Sequence, residues 1–209
     1  MSVSAQAPDL RVWISHHLDP LADQDPVEGW IDPDQPFVLE RAPTPAAVLV
    51  GLIERPEGYT VLLTRRADTL RSHTGQVALP GGRRDPGETP WATALREAHE
   101  EIGLAPDHVE LAGLSTPYRT ATGYHVTPVV GFVAPDAPFA ANPAEVAEVF
   151  EAPFAFLMDP RNHEELEREW PSGVKRRFYG MTWNQRFIWG ATAGILRALH
   201  DRLYGAAVA

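Results

Sequence analysis

Short apolar runs of strand length fill the middle of this chain, separated by turn residues and interrupted where the apolar period lengthens. Residues 46–54 (AAVLVGLIE) and 59–66 (YTVLLTRR) are rich in branched aliphatic side chains and flank Pro56-Glu57-Gly58, a pattern that predicts a hairpin. Residues 67–82 connect it to a change of period. Thr89-Pro90 reads as an N-cap hydroxyl before a proline at the first helical position, and Gly103, with Pro106 beyond it, reads as the stop. Between them Trp91, Leu95, Ala98 and Ile102 form one apolar stripe at about 100° per residue. Residues 108–120 and 124–134 predict a second strand pair around Ala121-Thr122-Gly123, followed by a Pro/Asn-rich loop over 135–143. A further strand and a short helix over 153–158 follow, then a hairpin of 164–170 with 174–182 around Pro171-Ser172-Gly173. Ile188, Ala191, Ile195, Leu199 and Leu203 stand at helical spacing, predicting one terminal helix over 186–205 that ends at Gly205. Upstream, Leu10, Trp13, Ile14 and Leu18 predict an amphipathic helix over 8–18, and the Asp- and Pro-rich stretch 19–45 reads as an extended arm. Strands on both sides of a central helix, with a second long helix at the end, imply a layered α+β domain over 46–205, preceded by the helix and arm of 1–45.

Composition narrows the function classes. At 209 residues, 44% hydrophobic and 22% charged, the chain is long enough for one domain with a full core. No apolar run approaches a membrane span, and MSVSAQAPDL has no basic region leading into an apolar core, so a cytoplasmic protein without a secretory signal is expected. With no cysteine, disulfides, thiol catalysis and cysteine-held metals are excluded. A net charge of −10 argues against a general nucleic-acid binder, which needs a basic footprint. It leaves room for a small phosphorylated ligand, which a few local arginines and a metal can hold.

The central helix carries the chemistry. Glu97, Glu100 and Glu101 fall within an arc of about 100°, on the side expected to face away from the apolar stripe. Like charges three or four residues apart repel by roughly 0.2–0.5 kcal/mol per pair, and a hard divalent cation such as Mg²⁺ or Mn²⁺ removes that cost. A solvated acidic face is the plainer alternative for the helix alone. The wider pattern runs Gly82, five residues, Glu88, seven residues, Arg96-Glu97, Ala98, one residue, Glu100-Glu101, one residue, Gly103-Leu104. This resembles the complete Nudix box, the signature of hydrolases that cleave nucleoside diphosphates linked to another moiety. The resemblance implies the Nudix fold, an α/β/α sandwich around a mixed sheet. It further implies Mg²⁺ or Mn²⁺ held by Glu97 and Glu101, with Glu100 a third ligand, direct or through water. Arg96 is expected to orient these carboxylates and Glu88 to play a supporting part. Such enzymes often recruit a further carboxylate from outside the box, for which Glu145 is the first candidate, Glu148 the second and Glu151 a weaker one.

A second motif precedes the box. Leu62-Leu63-Thr64, Arg66-Ala67, Arg71, Gly75 and Leu79-Pro80-Gly81-Gly82 resemble the pattern of the coenzyme A diphosphatase branch, departing only at Leu79, where that branch commonly has Phe. The resemblance implies hydrolysis of coenzyme A to 4′-phosphopantetheine and adenosine 3′,5′-bisphosphate. Arg66, Arg71 and His73 are then expected to bind substrate phosphates, and Gly81 and Gly82 to leave backbone open to ligand or ion. An alternative substrate, such as ADP-ribose, a dinucleotide or a noncanonical nucleoside triphosphate, fits the same box. A ligand sensor on this fold should have lost box carboxylates, and these are intact. The expected partner is a small molecule, without nucleic acid or membrane. The oligomeric state stays open, a homodimer being one option.

Overall fold

The computed structural model describes residues 9–21, 42–67, 75–169 and 175–205. The expected hairpin is formed by β1 (Thr44–Arg55) and β2 (Gly58–Arg66), antiparallel with Leu52 opposite Val61 and Arg55 opposite Gly58. Strand β1 is buried along most of its length because both its faces are covered, which is why its sequence shows a near-continuous apolar run. β7 (Tyr124–Val133) lies parallel to it, from Thr44–Tyr124 to Ile53–Val133. Around these, β3 (Val77–Ala78) and β8 (Val146–Pro153) pair with β2, β4 (Gly81–Arg83) with β1, and β5 (Val109–Leu114) and β6 (Tyr118–Arg119) with β7. Among the described residues this makes an eight-stranded mixed sheet.

Helix α1 (Leu10–His16) opens the described chain, and α2 (Pro90–Ile102) follows β4. α2 covers one face of the sheet, packing Ala94, Ala98 and Ile102 on Ala47, Leu49, Ile53 and Leu62. The other face is covered by α1, α3 (Phe154–Leu157) and α4 (Ala191–Tyr204), whose Ile14, Leu157, Leu196 and Leu199 meet Val50, Val61 and Leu63. The layering is therefore α/β/α, as expected. A separate antiparallel sheet of β9 (Glu164–Glu169), β10 (Lys175–Trp183) and β11 (Arg186–Trp189) extends the second face.

One expectation fails here. Residues 186–189 are a strand and not the first turn of the terminal helix. Asn184 and Gln185 both take positive φ, 46° and 66°, and turn the chain back along β10 with Arg186 opposite Trp183. Ile188 is buried and Phe187 exposed, the alternation of a strand, and the helix begins only after Gly190 at φ 64°. Over four residues a strand period and a helix period place apolar side chains almost alike, and the turn decided between them.

The N-terminal helix does not stand apart from the domain. Ile14 is fully buried, and Asp19 and Leu114 exchange backbone hydrogen bonds of 2.9 Å. The Arg202 guanidinium donates to both Asp19 oxygens, at 3.0 and 2.6 Å, and to the His17 carbonyl. No helix among the described residues is long and apolar enough to cross a membrane.

Candidate active site

Helix α2 starts where its sequence says it should: the Thr89 hydroxyl accepts from the Ala92 N–H at 3.2 Å, and Pro90 needs no partner at its own nitrogen. It stops at Gly103, φ 68°, whose N–H donates to the His99 carbonyl at 2.9 Å. Which face is buried differs from the sequence expectation. Trp91 and Leu95 are only partly buried, while Thr93 and Glu101 join Ala94, Ala98 and Ile102 on the inner side. The three glutamates, expected to share one solvent-facing arc, are graded: Glu101 is 5% exposed, the Glu97 side chain 16% and the Glu100 side chain 55%.

The cause is strand β4, which runs beside α2 with glycine at two successive positions. A Cβ on Gly82 would lie 2.6 Å from both Glu97 carboxylate oxygens, and one on Gly81 would lie 2.6 Å from the Val48 Cα. Glycine at 82 thus makes room for a carboxylate and glycine at 81 for the neighbouring strand. The Gly81 N–H donates to Glu101 at 3.2 Å.

Burial pushes the Glu101 carboxyl up to about 7, against the Gly81 N–H; the charges of Glu97 and Glu145 add to the rise and Arg66 opposes it. Glu97 is also raised, burial outweighing its contact with Arg96. Glu88 goes the other way, to about 2, because Arg96 donates to it at 2.8 and 3.0 Å, with further bonds from the Thr93 hydroxyl (2.7 Å) and the Asp85 N–H (3.1 Å). Arg96 also reaches Glu97 at 2.8 Å, Glu100 at 3.4 Å and the Arg83 carbonyl at 3.1 Å. One guanidinium therefore ties β4, the loop before the helix and the helix face together.

The loop before β8 closes the other side. The Asn142 N–H donates to the Glu101 carbonyl at 2.8 Å, its side-chain amide approaches Glu145 at 3.4 Å, and its Oδ1 accepts from Ala144 N–H at 3.2 Å. The Ala67 N–H donates to the Glu145 carbonyl at 2.9 Å, bringing the end of β2 alongside. Asn142 is a residue the sequence reading passed over; the available signal was an Asn-Pro pair, whose side-chain oxygen readily accepts from the backbone two residues on. Arg66, at the end of β2, is close enough for Glu101 to feel its charge, and its Nε is buried without a hydrogen-bond partner.

The structure thus brings Glu97, Glu101, Glu145, Arg66, Gly81 and Gly82 together, with Glu100 at the rim. It does not bring Glu148. That carboxylate accepts from Arg186 and stands 3.7 Å from Arg65, on the sheet face away from α2, and these arginines hold its pKa below the usual range. Strand alternation is the reason: Glu148 pairs with Arg65, whereas Arg66 pairs with Val146, which packs in the α2 layer. Glu151 is taken up by Arg55 and the Thr60 hydroxyl. Arg71 and His73 lie outside the described residues.

Among the described residues no three histidine or acidic side chains close into a metal cluster. The donor set nonetheless suits a hard divalent cation. Mg²⁺ commonly takes one or two protein carboxylates and completes its shell with water and substrate phosphate. Glu101 is a buried carboxylate with a single N–H partner, leaving lone pairs unused, and Glu97 lies beside the same glycine pair.

Comparison with known proteins bears on the family and the fold. The Nudix domain model matches residues 43–172. A protein named "Uncharacterized Nudix hydrolase NudL" from Yersinia pestis (strain Pestoides F) is 46% identical over 161 residues, covering 76% of this chain and 79% of that protein. The protein of the same name from Yersinia pseudotuberculosis serotype O:1b (strain IP 31758) matches to the same extent, 46% over 161 residues. Among solved structures, a MutT/nudix family protein from Enterococcus faecalis aligns with a TM-score of 0.50 at 21% identity, over 81% of this chain and 65% of that one, a likeness of fold.

Proposed function

The chain belongs to the Nudix family, and from that premise we propose that it hydrolyses the diphosphate bond of coenzyme A to 4′-phosphopantetheine and adenosine 3′,5′-bisphosphate, and that of its acyl derivatives to the acylated phosphopantetheine and the same bisphosphate. Residues 46–205 act as one hydrolase domain in this reading, with 1–45 an appended helix and arm. The observation that carries it is an intact box preceded by the upstream motif, whose Arg66 is near enough for the buried Glu101 to feel its charge.

Glu97 and Glu101, with Glu100 at the rim, would hold Mg²⁺ or Mn²⁺. When bound, such an ion neutralises phosphate oxygens and lowers the pKa of coordinated water. The chain's own groups do the rest. Arg96 holds Glu97 in place and keeps the loop of Glu88 against the helix. Arg66 meets a phosphate oxygen with a guanidinium whose Nε has no competing partner. Glu145 takes the proton of the attacking water as its oxygen bonds to phosphorus, while the bridging P–O bond breaks and the leaving phosphate keeps the electron pair. Arg71 and His73 serve the remaining phosphate, including the 3′-phosphate that separates coenzyme A from most adenine diphosphates.

A substrate panel with product identification tests the reading. Coenzyme A should be cleaved with a higher kcat/KM than dephospho-coenzyme A and ADP-ribose. A charge-assisted arginine–phosphate contact is worth roughly 1.5–3 kcal/mol, about ten- to a hundredfold, so Arg71→Ala should lose that much on coenzyme A. Faster cleavage of ADP-ribose would overturn the substrate and leave the hydrolase standing.

A further inference from the structure

Strand β8 is irregular where it meets the site. Pairing runs regularly through Leu63–Phe150, Thr64–Val149 and Arg65–Glu148, then shifts, so that Arg66 faces Val146 and Ala147 is the extra residue. Such a bulge re-aims the residues beyond it, because every one-residue change of register reverses which face a side chain takes. Here it returns Val146 to the α2 layer and sets the Glu145 carbonyl on the Ala67 N–H at 2.9 Å. Glu145 lies in the turn just before β8, its N–H donating to the Asn142 carbonyl at 3.0 Å while the Asn142 N–H donates to the Glu101 carbonyl, and Glu97 and Glu101 both feel its charge.

Glu148 stands next to Ala147, on the regular side of the bulge. Its two carboxylate oxygens are occupied by Arg186, through Nη2 to Oε1 and Nε to Oε2 (3.3 Å), and Arg65 stands at 3.7 Å. Arg186 also lies over the Phe150 ring, 4.6 Å from its centroid, and donates to the Asn184 carbonyl at 3.2 Å. It projects from β11, so the fork is anchored in the second sheet. We infer that Arg186 and Glu148 are positioning residues: gripping Glu148 on the far face pins the register of β8 and so holds Glu145 and Arg66 at Glu101. This rests on the reading of Glu145 and Arg66 as working groups of the site.

The test combines a mutant cycle with a backbone readout. Glu148→Gln should lower kcat/KM on the best substrate of the panel by about tenfold, within the range of couplings between residues of one network. In a Glu145→Ala background the same change should have a much smaller effect, only the part that reaches the site through Arg66. Hydrogen exchange at the Ala67 amide, measured in the metal-free protein, should lose about tenfold of its protection in Glu148→Gln while the urea midpoint stays put. An equal kinetic loss in both backgrounds, or unchanged Ala67 protection, overturns the inference. If no diphosphate in the panel is cleaved, the functional reading falls and Ala67 exchange alone decides the latch. Should Glu148→Gln not fold, Arg186→Lys, which keeps the charge and loses the fork, carries both measurements with the same outcomes.

Discussion

Glu101 shows what a single residue costs and contributes. A carboxylate 5% exposed with a single N–H partner is disfavoured as an anion, and its pKa stands at about 7 against 4.5 in the unfolded chain. Between those values the folded metal-free protein binds more protons than the unfolded one, so its stability falls as pH rises from 4.5 through about 7, by on the order of 2–3 kcal/mol. Urea denaturation in EDTA at pH 5 and pH 8 should show that fall, and Glu101→Gln should remove it. The same substitution should lower turnover by orders of magnitude with the fold intact. A wild-type rate in Glu101→Gln would end the assignment of this helix face to catalysis.

At the level of elements, the contact between β4 and α2 makes two adjacent glycines unequal. A methyl at Gly82 meets the end of a flexible side chain, the Glu97 carboxylate, which can move; a methyl at Gly81 meets the β1 backbone, which cannot without breaking the pairing. Gly82→Ala should therefore keep its melting temperature within a few degrees and lose most activity, whereas Gly81→Ala should be destabilised by about 1–3 kcal/mol. Thermal unfolding and kcat measured on both proteins separate the two effects. The connection from α3 to β9 holds a second titration. His163 donates from Nε2 to the Leu157 carbonyl at 2.7 Å, its Nδ1 is buried without a partner, and its ring meets His200 edge-on near Asp201 and Arg197. Burial lowers its pKa, so the stability it contributes is complete above the ordinary histidine value of 6.5 and is lost as pH falls through the depressed one. His163→Gln should flatten the acid limb of a plot of urea midpoint against pH, and an unchanged limb would place that dependence elsewhere.

For the whole molecule, the first and last helices are joined on the sheet face opposite the glutamates. Ile14 is fully buried among residues of the second layer, and Arg202 of α4 binds Asp19 just after α1. Ile14→Ala should cost about 2–5 kcal/mol, read as a lower urea midpoint at unchanged slope, because the deleted atoms leave a cavity between three elements. KM should stay as in the parent chain, since that layer lies across the sheet from Glu97 and Glu101.

Local rules were enough for much of this. Caps, the Gly-containing turn at 56–58 and short apolar runs are encoded within a few residues of where they act, so the hairpin, the limits of α2 and the strand at 124–134 were legible directly. So was the family, because a box with fixed identities at fixed spacing is a property of sequence alone. The face that α2 buries was not, since angular position on a helix does not say where the neighbouring strand lies; β4, admitted by Gly81 and Gly82, drew Glu101 inward. Nor was the strand at 186–189, which the Asn184-Gln185 turn and its pairing with β10 decided. Sequence ranked Glu145 above Glu148 only because it lies on the loop side of the strand. Pairing with β2 put Glu148 on the face of Arg186, while Glu145 lies in the Asn142 turn before the strand, and register between strands far apart in sequence exists only once the sheet has formed.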